Sequence, residues 1–160
     1  TVAAVVESLA GDEWLDRGHF LKGVSGVVAN TGLSGRWQVL SRTPLTICET
    51  GHNREGLEYV IRQVKETSKD KLHMVIGFVN DKDLSSILPL FPKEAYYYFT
   101  KASIPRAMDE QLLKAEADKY GLHGTSHASV SRALDYARQA AEPEDMIFVG
   151  GSTFVVAEAL

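Results

Sequence analysis

Glu49, His52 and Asn53 share one polar turn, set between the apolar run Leu45-Thr-Ile-Cys48 and a segment carrying Leu57, Val60, Ile61 and Val64 at the spacing of a helix face. A buried strand that passes through such a turn into a helix is where α/β proteins place their chemistry. The strand end opens on a crevice, and the first backbone N–H groups of the helix lie there unpaired, so anions and polar ligands collect at that edge. A structural role fits the same residues. Glu49 favours the helix N-terminus electrostatically and His52 or Asn53 can cap it, each effect worth about 1 kcal/mol or less. Asn53 is the better cap, which leaves Glu49 and His52 as ligand candidates.

Four further groups stand at the ends of apolar runs. Arg36 follows Gly35 beside Trp37; its forked donors suit a phosphate or a carboxylate, and equally a stack on Trp37 or a surface ion pair. Asp81-Lys82-Asp83 follows Met74-Val-Ile-Gly-Phe78 and reads as a solvated loop with a helix cap, or as the edge of a site. In Ser103-Ile-Pro-Arg106, after the aromatic run Tyr96-Tyr-Tyr-Phe99, the proline fixes a turn and Asp109 can cap the next helix. Gly150-Gly-Ser152-Thr153 lets the backbone approach a ligand, and Ser152 can both cap a helix and donate to a carboxylate. Cys48 sits inside an apolar run and reads as an inert buried thiol. His19, His73, His123 and His127 lack ligand spacing with one another or with Cys48, so no metal site is expected on this chain.

The elements that must hold these groups alternate from Arg36 onward. Strands are expected at 36–40, 45–48, 72–78, 95–99, weakly near Leu122, and at 146–149; helices at 53–65, 84–88, 109–120, 129–141 and 153–160. This alternation implies a wound sheet with crossover helices, an α/β three-layer Rossmann-like domain whose mostly parallel sheet has about six strands flanked by helices. In the helix near Ser129, Val130, Ala133, Leu134, Ala137 and Ala141 share a face, and Arg132, Asp135 and Arg138 point away from it. Residues 1–30 read as helical turns and a linker punctuated by Gly23 and Gly26. The opening at Thr1, without a methionine, reads as an excised piece of a longer protein.

Composition narrows the function. The chain has 160 residues, room for one domain with a full core. Its net charge is -4 and it has no basic run, which disfavours binding nucleic acid through phosphates. A single cysteine excludes an internal disulfide and fits a reducing compartment. No apolar stretch approaches the ~20 residues of a membrane span, and a cytoplasmic protein is expected.

Five stretches in this order are similar to one family: Thr31-Gly-Leu-Ser-Gly-Arg-Trp-Gln38, the turn Glu49-Thr-Gly-His-Asn53, Gly77-Phe-Val-Asn-Asp-Lys-Asp83, Ala102-Ser-Ile-Pro-Arg-Ala107 and Phe148-Val-Gly-Gly-Ser-Thr-Phe154. From about Thr31 to Leu160 the chain resembles the C-terminal domain of folylpolyglutamate synthases, often bifunctional with dihydrofolate synthase, within the muramyl-ligase superfamily. The resemblance implies an ATP-dependent ligase that adds L-glutamate to folate, and also to dihydropteroate where it is bifunctional, through an acyl phosphate. It places Arg36, Glu49 and His52 on the nucleotide side, Arg106 and Ser152 on glutamate with His52 between, and Asp81, Lys82 and Asp83 at the site edge. The family normally has an aspartate where Glu49 stands, so this chain adds one methylene and keeps the charge. It contains no Gly-x-x-x-x-Gly-Lys-Ser/Thr sequence. What the resemblance then implies is that an N-terminal ATPase domain in cis, whose tail would be residues 1–30, supplies the phosphate loop and the ligands for Mg²⁺, in a monomer. A muramyl-type ligase for peptidoglycan precursors and a non-catalytic nucleotide-binding or interaction domain share this architecture. Gly35-Arg-Trp-Gln38 and Gly150-Gly-Ser152 favour the folate branch.

Overall fold

A computed structural model describes residues 2–8 and 16–160. The backbone divides after Ser34 into two units. The first holds three short helices, α1 (Val2–Ser8), α2 (Arg17–Ser25) and α3 (Val27–Thr31). Asp16 opens α2 by accepting the His19 N–H at 2.7 Å, and Gly32, at φ 67°, closes α3 in the left-handed conformation glycine adopts without strain. The expected helical turns at the start of the chain appear as α1; Thr1 and Leu9 lie outside the described residues.

The second unit is a six-stranded sheet in the order β1-β2-β6-β3-β4-β5. Its strands are β1 (Gln38–Arg42), β2 (Leu45–Glu49), β3 (Leu72–Ile76), β4 (Tyr96–Thr100), β5 (Gly124–His127) and β6 (Met146–Gly150). Between and after them run α4 (Arg54–Thr67), α5 (Leu84–Ile87), α6 (Glu110–Asp118), α7 (Val130–Ala140) and α8 (Thr153–Ala159). β1 pairs with β2 antiparallel and every other neighbouring pair is parallel. The mostly parallel sheet expected from the alternation is therefore present, with a hairpin at one edge.

Alternation along the central strands builds two cores, as it must when both faces of a parallel sheet are covered. Met146 and Phe148 of β6 face the layer of α4, α5 and α6, joining Leu57, Val60, Ile61 and Val64. Ile147 and Val149 face α7 and α8, joining Val130, Ala133, Leu134 and Ala137. These helical residues are the apolar stripes legible in the sequence. Phe148 is fully buried, and truncating such a ring to alanine costs about 3–5 kcal/mol.

Asn53, Asp83, Asp109, Ser129 and Ser152 each cap the helix that follows through a side-chain oxygen. Asn53 Oδ1 accepts the Gly56 N–H at 3.0 Å, as expected of it. At the N-terminal end of the sheet the sequence reading missed a buried polar network. His73 contacts Tyr98 Oη at 3.0 Å through Nδ1 and Asp145 Oδ2 at 3.2 Å through Nε2. Asp145 also accepts the backbone N–H groups of Lys71 and Glu142.

Candidate functional site

The parallel registers bring the C-terminal ends of β2, β3, β4 and β6 to one edge: Glu49 lies opposite Gly150, Gly150 opposite Ile76, and Ile76 opposite Phe99. There a cavity of about 410 Å³ is lined by His52, Val79, Asp81, Lys82, Arg106 and the stretch 151–154. Five of the residues singled out in the sequence thus meet, carried by four different loops. A cavity of the same volume beside α4 is lined by Glu58, Ile61, Arg62 and Lys65 from one helix, with Leu90, and gathers no loops at strand ends.

Each loop is fixed for a physical reason. The segments after β3 and β4 are zipped together: the Asn80 N–H donates to Arg106 O at 3.0 Å, the Met108 N–H donates to Phe78 O at 2.9 Å, and Val79 and Ala107 form an antiparallel bridge. Arg106 is thereby set beside Asp81 and Lys82 instead of swinging on a free turn. Its guanidinium carbon lies 4.9 Å from the centroid of the Phe154 ring. Gly151, at φ 89°, lets the chain turn sharply out of β6, and a Cβ there would stand 2.8 Å from the carbonyl oxygen of Gly77. Ser152 is buried and accepts the Phe154 N–H at 3.2 Å as the cap of α8.

Arg36 and Glu49 form a second cluster at the same edge. Glu49 Oε1 accepts from Arg36 Nη1 at 2.9 Å and from the Gly51 N–H at 3.0 Å, while Oε2 accepts the Trp37 N–H at 2.6 Å. The carboxylate is 6% exposed and its acceptor sites are committed inside the chain. Glu49 therefore ties the turn at Gly35-Arg-Trp37, where Gly35 has φ 74° and Trp37 φ 43°, to the turn that leads into α4. Arg36 keeps most of its surface in solvent and can still reach an anion. Burial, and then the charge of Glu49, push the neighbouring Cys48 thiol up to about 11, as suits an inert thiol.

The charges at the cavity are lopsided. Lys82 and Arg106 are cations with no ion-pair partner among the described residues, and Asp81 is the one carboxylate on the wall. Such a wall suits a ligand with carboxylates or phosphates and one ammonium group. Among the described residues no three His, Cys, Asp or Glu side chains come together to hold a metal ion.

The profile described as "Mur ligase, glutamate ligase domain" matches residues 35–153, which is most of the chain and all of the strand-end loops. The chain belongs to the Mur ligase glutamate ligase domain family. This glutamate ligase domain is 33% identical over 131 residues to a probable bifunctional folylpolyglutamate synthase/dihydropteroate synthase of Haloferax volcanii, covering 81% of this chain and 16% of that protein. It is 32% identical over 136 residues to the dihydrofolate synthase/folylpolyglutamate synthase of Escherichia coli, covering 83% and 31%. Among solved structures it superposes on E. coli FolC in complex with DHPP and ADP with a TM-score of 0.68 at 30% identity, covering 79% of this chain and 30% of that one. A bifunctional folylpolyglutamate synthase/dihydrofolate synthase with Mn, AMPPNP and L-glutamate bound gives a TM-score of 0.70 at 26% identity, with 79% and 30% covered. The glutamate ligase domain thus spans a third or less of the curated relatives it matches.

Of the residues named from sequence, His52, Asp81, Lys82, Arg106 and Ser152 line the cavity. Arg36 and Glu49 do not line it and form a separate cluster at the same end of the sheet. Asp83 does not line it: its carboxylate accepts from the Ser85 hydroxyl at 2.6 Å and the Ser85 N–H at 3.0 Å, and these bonds, the hydroxyl's first, hold its carboxyl below the usual range. The sequence reading passed over Phe154 as a wall of the site. An aromatic residue in a short helix reads as core, and only its place two residues after Ser152 could have drawn attention to it.

Proposed function

We propose that this chain is the C-terminal domain of an ATP-dependent ligase that joins L-glutamate to folate, and to dihydropteroate where the enzyme is bifunctional. The observation that carries the reading is the gathering of His52, Lys82, Arg106 and Ser152 around one cavity in a glutamate ligase domain. In the reaction, a carboxylate oxygen of the folate attacks the γ-phosphorus of ATP and ADP leaves, giving an acyl phosphate. The α-amine of glutamate then attacks the acyl carbon, loses a proton, and inorganic phosphate departs with the electron pair of the broken C–O bond, leaving an amide.

Both steps develop negative charge on oxygen, and fixed cations and dipoles at the site are what lower such barriers. Arg106 and Lys82 would hold the carboxylates of glutamate, Ser152 would donate to one of them, and Asp81 would face its ammonium group. Arg36 would reach the nucleotide, with Glu49 acting through its hold on Arg36 and with His52 between the two substrates. The divalent cation, Mg²⁺ in the cell, would sit on an N-terminal domain in cis that also carries the phosphate loop, with residues 1–30 as its tail. Closure of the two domains would exclude water from the acyl phosphate. The protein would act as a monomer in the cytoplasm.

The test is a pair of variants in the full-length ligase, assayed by ATP-dependent incorporation of radiolabelled glutamate into folate. Arg36→Ala is expected to raise KM for ATP, and Arg106→Ala to raise KM for glutamate. Loss of a charged hydrogen bond of this kind is worth about 1.5–3 kcal/mol, or roughly 10- to 150-fold. Unchanged constants in both variants would overturn the assignment.

A further inference from the structure

The face of α8 that carries Phe154 and Glu158 grips the loop of Arg106 at both ends. At one end Glu158 Oε1 accepts the Ser103 N–H at 2.5 Å, and its Oε2 lies 3.5 Å from the Ser103 hydroxyl. At the other, Arg106 lies over the Phe154 ring. Phe154 and Glu158 are four residues apart, one turn along the same helix face. Phe154 is itself half-buried and packed on the core formed with Val155 and Val156, so its ring is a fixed surface.

The guanidinium has no carboxylate partner among the described residues, and its backbone carbonyl is already occupied by the Asn80 N–H. Among the described residues no side-chain hydrogen bond or ion pair holds the guanidinium, and its place over the Phe154 ring is what orients it. A guanidinium lying over a ring keeps its N–H edge free in its own plane, and that edge is what a carboxylate meets with two parallel bonds.

We propose that Phe154 and Glu158 are positioning residues for substrate binding: α8 holds the Ser103–Arg106 loop so that Arg106 presents its N–H edge to the glutamate carboxylate. This rests on the glutamate-binding reading of Arg106 given above. Neither residue touches the reacting atoms. Their effect should fall on KM for glutamate alone, because an unstacked Arg106 samples orientations that do not bind and the competent fraction falls.

The experiment is steady-state kinetics of the full-length ligase carrying Phe154→Leu, Phe154→Tyr, Glu158→Gln and Arg106→Ala, with Phe154→Leu also placed on the Arg106→Ala background. Phe154→Leu is expected to raise KM for glutamate about 3- to 5-fold, the scale of one partly exposed cation–π contact. KM for ATP and kcat at saturating glutamate should both stay put. Phe154→Tyr, which keeps the ring, should restore the wild-type KM, and Glu158→Gln should raise it about 2-fold. Phe154→Leu should change nothing further once Arg106 is alanine, since the two residues then share no interaction to lose. An equal rise on both backgrounds, or a parallel rise in KM for ATP, would overturn the positioning role, as would a wild-type KM in Phe154→Leu. If instead Arg106→Ala itself leaves KM for glutamate unchanged, the binding site has been misassigned and the positioning role goes with it. Melting curves of each variant separate these results from misfolding.

Discussion

Removing the carboxylate of Glu49 should loosen the strand-end turns more than removing the arginine paired with it. Glu49→Ala deletes the acceptor for two backbone N–H groups, those of Trp37 and buried Gly51, and ends the ion pair with Arg36. The ion pair contributes little, because the Arg36 side chain is 59% exposed and solvent screens it, leaving about 0.5 kcal/mol or less. Each orphaned N–H costs about 1–3 kcal/mol where water cannot replace the lost acceptor, and Trp37 is only half-buried, so the total comes to about 2–4 kcal/mol. At roughly 3 °C per kcal/mol for a chain of this size, the melting temperature should fall by about 6–12 °C. Thermal unfolding of the 160-residue chain, followed by circular dichroism, reads this directly. Arg36→Ala should shift the transition by no more than about 2 °C, while Glu49→Gln, which keeps one acceptor oxygen and loses the charge, should fall between the two. A Glu49→Ala chain that melts within 2 °C of wild type, or an Arg36→Ala chain that falls as far, would refute the account of Glu49 as the clasp of both turns.

Other consequences can be checked on the same chain. Burial raises the Asp145 carboxyl, but hydrogen bonds from the Glu142 N–H, His73 and the Lys71 N–H outweigh it and leave the pKa below the ordinary value. Its stabilisation is therefore complete above the unfolded-state pKa of about 3.9 and is lost as pH falls further. Urea midpoints should show Asp145→Asn well below wild type at pH 7, with the gap narrowing towards pH 3; a gap that does not change with pH would contradict this. Cys48 is fully buried with its thiol pushed up to about 11, so Ellman's reagent at pH 8 should fail to react until urea unfolds the chain. Reaction of the native protein within seconds would show that the strand end opens.

The sequence carried the elements better than their arrangement. Buried runs such as Met74-Val-Ile76 and Met146-Ile-Phe-Val149 announce strands wherever they lie, because burial on both faces demands apolar residues at every position. β5 was only faintly legible near Leu122 and lies at Gly124–His127. An edge strand reading Gly-Thr-Ser-His has no apolar alternation, and Gly124 is there because a side chain would collide with the Tyr97 backbone. The first strand begins at Gln38 instead of Arg36, since the turn clasped by Glu49 must finish before pairing starts. Nothing local foretold that β6 inserts between β2 and β3, yet that insertion delivers Ser152 to the cavity. Arg106 and Lys82 were found as residues, but their adjacency depends on backbone bonds between two loops far apart in sequence. Phe154 stayed hidden because an aromatic side chain has the same signature in a core as beneath an arginine.

Whether the loops after β2, β3, β4 and β6 form one binding rim is tested most directly by an amide-resolved NMR titration of this chain with L-glutamate up to tens of millimolar. A single rim gives saturable shifts at His52, Lys82, Arg106 and residues 151–154, with the cavity between α6 and α7 at Thr125, His127 and Arg132 unmoved. Shifts confined to that second cavity, or spread over the surface without saturation, would contradict it.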